Sequence, residues 1–377
     1  MALALGLAGA AFIALTWIGY PLAIAAVAAL RSRRAPIRPA GTPPVTCVLA
    51  ARETPAVIEA RVKNWLDSDY AGVIDVVVAL EPGPDATWAP PTDLATRVRV
   101  VPGDAPGGKC ANLNAGVRAA RGEVLVFGDA HQLFARDAIR RLVDRLADPR
   151  VGAVSGQLEI PRDRAGFVAH TYWRYERWLR RGEAVVHSTV GVTGAIYAMR
   201  AVLWRPLPAG LILDDVHVPM RLVLEGHRVG FEERAIATET RTVIAAQEYR
   251  RKVRTLTGNF QLCAWLPSIL VPGRNPIWAQ FVLHKLCRLF TPYALALAAG
   301  GALVAALERW WPLPPLVAGA VGVTALWLAA SPDAVARRAR TVASQFLVLQ
   351  AATVVALWNA VRGRWDVWQP HARHGST

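Results

Sequence analysis

Apolar positions follow two regimes along this chain. Residues 1–30 carry no charged side chain, and as one helix they would extend about 45 Å against a hydrocarbon core of roughly 30 Å. The segment predicts a membrane-spanning helix, tilted or bent near Pro21; it lacks the basic leader of a cleaved signal peptide and is long for one. Three more apolar stretches, 289–307, 313–330 and 343–361, lie towards the other end. Between them the pattern changes to short apolar runs separated by helical periodicity. Residues 45–50 read as a buried strand bounded by Pro43 and Pro44. Thr54-Pro55 supplies an N-cap and first helical residue for a helix through Trp65. Strands are predicted at 74–79, closed by Pro82, Gly83 and Pro84, and at 97–101. Gly107-Gly108 opens a helix over 109–120, and 123–127 is the next strand. This succession implies an α/β domain with a mainly parallel sheet covered by helices, carrying N- and C-terminal transmembrane helices.

The division that follows is a transmembrane helix (1–30), a basic juxtamembrane linker (31–43), an α/β domain (44–261), an interfacial connection (262–288) containing Trp265, Pro267, Pro272 and Trp278, an apolar region of about three segments (289–361) and a basic tail (362–377). Arg31, Arg33, Arg34 and Arg38 directly follow the first apolar run, so the positive-inside rule places the α/β domain in the cytoplasm of a multi-pass cell-membrane protein. Trp310 and Trp311 on one side of 313–330, and Asp333, Arg337, Arg338 and Arg340 on the other, fit an aromatic belt and a cytoplasmic loop. Three full crossings would leave the C-terminus outside, whereas Arg362, Arg364 and Arg373 argue for inside. One stretch is therefore expected to be re-entrant or interfacial.

The formal charge of +15 suits either nucleic acid or an anionic membrane. The basic residues lie largely in juxtamembrane loops and on helix faces, where each gains about 1 kcal/mol from anionic headgroups. Membrane lipids, not nucleic acid, are the expected partner. Cys47, Cys110, Cys263 and Cys287 are far apart and form no CxxC pair, which predicts reduced thiols and no zinc site.

Candidate chemistry collects where apolar runs end. Asp129, in Gly128-Asp129-Ala130-His131-Gln132, follows the strand at 123–127 and is delivered to a carboxyl end, where open α/β sheets bind nucleotides. Lys109-Cys110-Ala111-Asn112-Leu113-Asn114-Ala115-Gly116 puts a cation at a helix N-terminus, either to hold a diphosphate or a base edge or simply as a solvated lysine. Asn112 and Asn114 read as structural, bonding the loops they face. Gly194, in Val192-Thr193-Gly194-Ala195-Ile196-Tyr197-Ala198-Met199-Arg200, permits close approach of a ligand to the backbone, or a turn. Ile212-Leu213-Asp214-Asp215 precedes a helical pattern, so its aspartates serve chemistry or cap the helix. Gln247-Glu248-Tyr249-Arg250-Arg251, with Lys252 and Arg254, makes a basic helical turn facing phosphates of a ligand or of lipid.

Over residues 44–261 these motifs resemble the family-two glycosyltransferases, especially the membrane-embedded branch with cellulose, chitin and hyaluronan synthases and simpler sugar-transferring relatives. The resemblance implies a GT-A-like fold and inverting, hexosyltransferase-type transfer from a nucleotide-diphosphate sugar to a hydroxyl acceptor, lipid-linked or glycan. It implies donor contacts from Ala51, Arg52, Glu53, Glu81, Lys109, Asp129, Ala130, Arg250, Arg251 and Arg254, and acceptor contacts from Gly194, Ala195 and Asp214. Asp215 takes the place of the family's catalytic base, with Asp214 beside it orienting it. Asp129-Ala130-His131 stands where the family has Asp-x-Asp, implying a divalent cation, Mn²⁺ or Mg²⁺, on Asp129, with His131 either a further ligand, which suits Mn²⁺ better, or a hydrogen-bonding neighbour. Glu81 replaces the usual nucleotide-contacting Asp, and Arg251 replaces the Trp of the processive Gln-x-x-Arg-Trp motif. The last change favours single-sugar transfer over a processive polysaccharide synthase. A catalytically silent membrane-anchored scaffold is the reading of another class, and the joint presence of Asp129, Asp214 and Asp215 argues against it.

Overall fold

The apolar run at the N-terminus is helical throughout. α1 (Ala2–Ala14) passes through one π-helical turn (Leu15–Gly19) into α2 (Tyr20–Arg31). Pro21 has no N–H for the carbonyl four residues earlier, and the widened turn falls beside it. This computed structural model describes residues 1–31, 41–83, 87–161, 167–241, 245–309, 333–367, and 317, 319, 322–324, 326 and 330, without the side chains at 167–169, 245–247, 334 and 338. Arg33, Arg34, Arg38, Pro84, Trp310, Trp311, Arg373, most of the predicted stretch 313–330 and the side chains of Gln247 and Arg338 lie outside the described residues. Among the described residues, three helices are long and apolar enough to cross a membrane: Ala2–Arg31, Thr291–Arg309 and Val335–Val361.

The chain divides into two compact units, one comprising Met1–Ala23, Ile244–Phe260 and Phe281–Thr377 and the other Ile24–Val243 and Gln261–Gln280. In the first, small residues let α1 meet the helix Thr291–Arg309 closely. A Cβ at Gly9 would stand 2.6 Å from the Ala294 carbonyl oxygen, and one at Gly301 would stand 2.5 Å from that of Ala2. Such stripes are how apolar helices associate where no hydrophobic effect drives them. Trp17 Nε1 donates to Thr291 Oγ1 (3.1 Å), and the Arg288 guanidinium lies over the Trp17 ring.

In the second unit the chain runs β1 (Val45–Ala51), α3 (Pro55–Leu66), β2 (Ile74–Leu80), β3 (Val98–Pro102), α4 (Lys109–Ala119), β4 (Val124–Phe127), β5 (Gln132–Phe134), α5 (Ala138–Arg145), β6 (Val151–Glu159), α6 (Phe167–Val186), β7 (Tyr197–Arg200), α7 (Asp214–Leu224) and β8 (Arg228–Glu239). A helix α8 (Ala245–Trp265) follows. The eight strands form one sheet in the order β3-β2-β1-β4-β7-β6-β8-β5. β3, β2, β1 and β4 are parallel; β7 then pairs antiparallel with β4 and β6, β6 and β8 are parallel, and β5 is antiparallel to β8. In the parallel half, β1, β2 and β4 are the strands that apolar runs announced, since strands buried on both faces read that way. The other half makes the sheet mixed. Ile58, Val62 and Trp65 of α3 are buried, each such side chain contributing about 1.5–3 kcal/mol.

Candidate active site

Chain direction in the parallel half gathers the polar residues at one edge. β1 ends at Ala51, β2 at Leu80 before Glu81, and β4 at Phe127 before Gly128 and Asp129. Glu81 organises the turn into α4. Its Oε1 and Oε2 accept from Gly108 N at 2.8 and 3.0 Å, and Oε2 also accepts from Asn112 Nδ2 at 2.6 Å. Gly107 and Gly108 both have left-handed φ, +96° and +93°, and a Cβ at Gly107 would lie 2.5 Å from Glu81 Oε1. The carboxylate predicted as a nucleotide contact thus holds the loop that presents Lys109.

Lys109 is the centre of the site. Its Nζ lies 3.2 Å from Asp129 Oδ1 and 3.3 Å from Asp214 Oδ2. A Cβ at Gly194 would stand 3.5 Å from Lys109 Nζ and 3.5 Å from Asp215 Oδ2, so α4, β4, α7 and the loop before β7 converge on one place. Burial alone would lower the lysine pKa; the fields of Asp129, Asp214 and Asp215 outweigh it and raise it well above the ordinary value. The ammonium is therefore permanent at neutral pH, in ion pairs rather than solvated. Asp129 remains open to ligand, 42% exposed, whereas the Asp214 side chain is 7% exposed. Asp214 and Asp215 open α7 with no side-chain capping bond, their charges favourable beside the helix N-terminus.

The remaining predicted residues sort by environment. Ala51, Ala130 and Ala195 are buried, so ligand contact through them is by backbone. Arg52 is exposed, and its N–H donates to Glu53 Oε2 (2.9 Å). His131 is partly buried; burial and Arg241 lower its pKa against the fields of Glu53, Glu239 and Asp129, leaving a neutral imidazole. Asn114 bonds reciprocally with Leu207, its Nδ2 donating to the carbonyl (2.9 Å) and its Oδ1 accepting the N–H (2.8 Å). Arg250, Arg251 and Arg254 lie on the part of α8 that belongs to the other unit, the first two exposed. Among the described residues no group of three or more His, Cys, Asp or Glu is arranged to hold a metal ion. His131 lies near enough to Asp129 to feel its field, and a cation held by these two side chains would take its other ligands from diphosphate oxygens and water.

Several supporting residues were not foreseen. From α6, Arg180 Nη1 donates to Thr193 Oγ1 (2.7 Å), and Nη2 to Ser155 Oγ (2.9 Å) and to the Gly191 carbonyl (3.1 Å). Ser155 Oγ also accepts from Thr193 N (2.9 Å), and Val192 N donates to the Asp215 carbonyl (2.8 Å). Buried Gln261 fixes the approach to Asp214, its Oε1 accepting from Ile212 N and its Nε2 donating to the Gly210 carbonyl, both at 2.9 Å. Arg61 is fully buried between the Trp65 and Phe134 rings, directly behind Gly128. Its signal in the sequence is a cation on the same helical face as Ile58, Val62 and Trp65. Tyr197 is buried on the Phe127 ring (4.6 Å between centroids); burial and then Asp214 raise its pKa, keeping the phenol protonated.

A parallel half-sheet with carboxylates and a lysine at its carboxyl edge, extended by antiparallel strands, is a GT-A-like α/β domain. Residues 43–258 match the model of the glycosyltransferase-like family 2, over half of the chain, and the chain belongs to that family. Among solved structures, the mannosyltransferase PcManGT from Pyrobaculum calidifontis, in complex with GDP-Man and Mn²⁺, is similar over 97% of this chain and 100% of its own, with 24% identity and a TM-score of 0.70. That likeness establishes the fold. Glucosyl-3-phosphoglycerate synthase from Mycobacterium tuberculosis, in complex with Mn²⁺ and UDP-glucose, matches over 64% of this chain and 83% of its own, with 16% identity and a TM-score of 0.40. No curated protein sequence matches significantly.

Proposed function

We propose that the protein is a membrane-bound inverting glycosyltransferase that moves one sugar from a nucleotide-diphosphate sugar to a hydroxyl of a lipid-linked or glycan acceptor, its catalytic domain on the cytoplasmic face. The observation that carries this reading is the Lys109 ammonium paired with both Asp129 and Asp214, with Asp215 beside it across Gly194. Asp215 is the general base: its carboxylate takes the acceptor proton while the acceptor oxygen forms a bond to the anomeric carbon. The bond from that carbon to the diphosphate breaks on the opposite side, so a single displacement inverts the configuration. Lys109 faces the charge growing on the diphosphate, a preorganised cation that needs no rearrangement as the bond breaks. Asp129 and His131 would hold a divalent cation, Mn²⁺ or Mg²⁺, which supplies Lewis-acid neutralisation of the diphosphate when bound. Asp214 keeps Lys109 in place and borders the acceptor side with Gly194 and Ala195. Ala51, Arg52, Glu53 and Ala130 line the donor side. Arg250, Arg251 and Arg254 supply a basic turn for phosphates, and Arg251 in the position of a polymer-stacking Trp supports single transfer over the processive chemistry of the cellulose and chitin synthase branch.

The test uses full-length protein in detergent with a panel of nucleotide sugars headed by GDP-mannose, with Mn²⁺ or Mg²⁺. Asp215→Asn should retain donor binding and lose transfer by about 10²–10⁴-fold, the usual contribution of a general base. Transfer near the parent rate by this variant, or undiminished turnover after chelation, would contradict the mechanism.

A further inference from the structure

Among the described residues, Arg61 is the only lysine or arginine that is fully buried. Its guanidinium lies between two rings, 4.1 Å from the centroid of Trp65 and 4.1 Å from that of Phe134. Nη1 donates to Asn64 Oδ1 at 2.7 Å. Nε and Nη2 are buried and donate to nothing among the described residues, and no carboxylate there forms an ion pair with Arg61. A buried cation left in this state is costly, and a methionine or leucine on the face of Ile58, Val62 and Trp65 would fill similar space without that cost. Packing alone therefore does not account for an arginine here.

The surroundings of Arg61 show what its charge serves. Residues 128–134 run from the end of β4 to the end of β5 and carry both Asp129 and His131. At one end of this segment a Cβ on Gly128 would stand 2.4 Å from Arg61 Nη2 and 2.9 Å from the Ala195 carbonyl oxygen. The φ of Gly128 is not left-handed, so glycine is needed for the closeness of the guanidinium and that carbonyl, not for its conformational freedom. At the other end Phe134 forms one side of the ring sandwich. Its N–H donates to Asn64 Oδ1 (2.8 Å), and its carbonyl accepts from Asn64 Nδ2 (3.0 Å). α3 thus grips both ends of the segment through one cluster with Arg61 at its centre. Burial pushes the pKa of Arg61 down to about 9, against the fields of Cys47 and Asp129, and it stays a cation at neutral pH. The Cys47 thiol is itself raised to about 12 by burial and is neutral, which leaves Asp129 as the anion on which this charge acts.

We propose that Arg61 is a positioning residue of the donor site: from behind Gly128 it fixes the segment 128–134 and supplies a buried positive charge that balances Asp129 and a bound nucleoside diphosphate. This role rests on the glycosyltransferase reading above and adds a second cation, after Lys109, to the donor side. Arg61 touches no substrate and acts through Gly128 and Asp129. Its charge is screened little by water, so it carries further than that of an exposed arginine.

The experiment is calorimetric titration of full-length protein in detergent with GDP and with UDP, each with Mn²⁺, alongside thermal denaturation. Arg61→Met removes the charge and keeps an apolar side chain between the rings; Arg61→Lys keeps the charge and loses the planar fork. Arg61→Met should be at least as stable as Arg61→Lys, yet bind the nucleoside diphosphate about tenfold more weakly than the parent, the size of one unit charge acting over a short distance through protein. Arg61→Lys should bind within two- to threefold of the parent. Stability and affinity then rank the two variants in opposite orders, which a merely structural residue does not do. If Arg61→Met does not fold, Arg61→Gln takes its place, since it also removes the charge and its amide can donate to Asn64 Oδ1. Unchanged affinity in the neutral variant, or affinities that follow the order of stability, overturns the role of Arg61 and leaves the donor-site reading standing. A parent protein that binds neither nucleotide with Mn²⁺ overturns both.

Discussion

Asp129 from the end of β4 and Lys109 from the first turn of α4 form a 3.2 Å ion pair, and the same ammonium reaches Asp214 at 3.3 Å. One cation thus ties the donor edge of the site to the helix that carries the proposed base. Replacing it by methionine leaves Asp214 buried without its counter-charge. The Lys109→Met variant should lose about 1–2 kcal/mol of stability, less than a fully buried pair because lysine is partly exposed. Transfer should fall by 10²-fold or more, as for loss of one preorganised cation at a developing charge. Thermal denaturation of a double-mutant cycle with Asp214→Asn checks the pairing; additive losses would show that the two side chains do not interact.

The pH dependence of that pair has a defined sign. The folded pKa of Lys109 is raised above its unfolded value of about 10.4, so its stabilisation is complete below that value and is lost as pH rises through the higher folded value. The melting-temperature deficit of Lys109→Met should therefore be constant from mildly acidic to mildly alkaline pH and shrink only in strong alkali. A deficit that disappears near neutrality would mean that the amine is not held as an ammonium.

Gly194 offers a way to separate acceptor binding from chemistry. A Cβ there would make ordinary contacts of 3.5 Å with Asp215 and Lys109, and its backbone is not in the left-handed region. Gly194→Ala should fold with stability changed by about 0.5 kcal/mol or less, as for substitutions that strain nothing. The added methyl occupies space beside the base, so the acceptor KM should rise with donor affinity unchanged. An unaltered acceptor KM would place the acceptor elsewhere.

In the apolar unit, Gly9→Leu puts a branched side chain where a Cβ alone would be 2.6 Å from the Ala294 carbonyl and 2.9 Å from Ala298 N. The two helices must separate and lose their packing. The protein in detergent should inactivate at a temperature several degrees lower, whereas Leu3→Ala on the exposed face should have little effect.

The central parallel strands were legible because β1, β2 and β4 are largely buried on both faces and read as apolar runs, as in Val76-Val77-Val78, whereas β3 lies at the edge and is only partly buried. The antiparallel half was not: β8, with Glu232, Glu233 and Arg234 in its middle, lies partly at the surface, and its partners β6 and β5 are far away in sequence. In the site, Asp129, Lys109, Asp214 and Asp215 were visible because carboxylates and a cation interrupt apolar segments at element ends. Gln261 and Ser155 were not, since a buried amide or hydroxyl satisfied by a loop 49 or 38 residues away leaves no local pattern. Glu81 was seen, but its occupation with Gly108 and Asn112 depends on the glycine turn bringing those donors back over the end of β2.

Arg180 is the sharpest case of a residue whose importance is positional. Its guanidinium spans Thr193 Oγ1, Ser155 Oγ and the Gly191 carbonyl, fixing the loop that carries Gly194 against β6. Burial pushes its pKa down, and the fields of Glu176, Glu183 and Asp215 oppose that shift. Removing it should cost about 2–3 kcal/mol, less than the sum of three charge-assisted bonds because the loop relaxes towards water. Lysine keeps the charge but cannot reach all three acceptors with a planar fork. Arg180→Lys should therefore recover part of the stability lost in Arg180→Ala, while both variants raise the acceptor KM about tenfold, equal to 1.4 kcal/mol, and leave donor affinity near the parent value. Titration with donor and steady-state kinetics against acceptor separate these quantities. If stability falls in both variants and the acceptor KM does not move, Arg180 supports only the fold, and the loop at Gly194 takes no part in acceptor recognition.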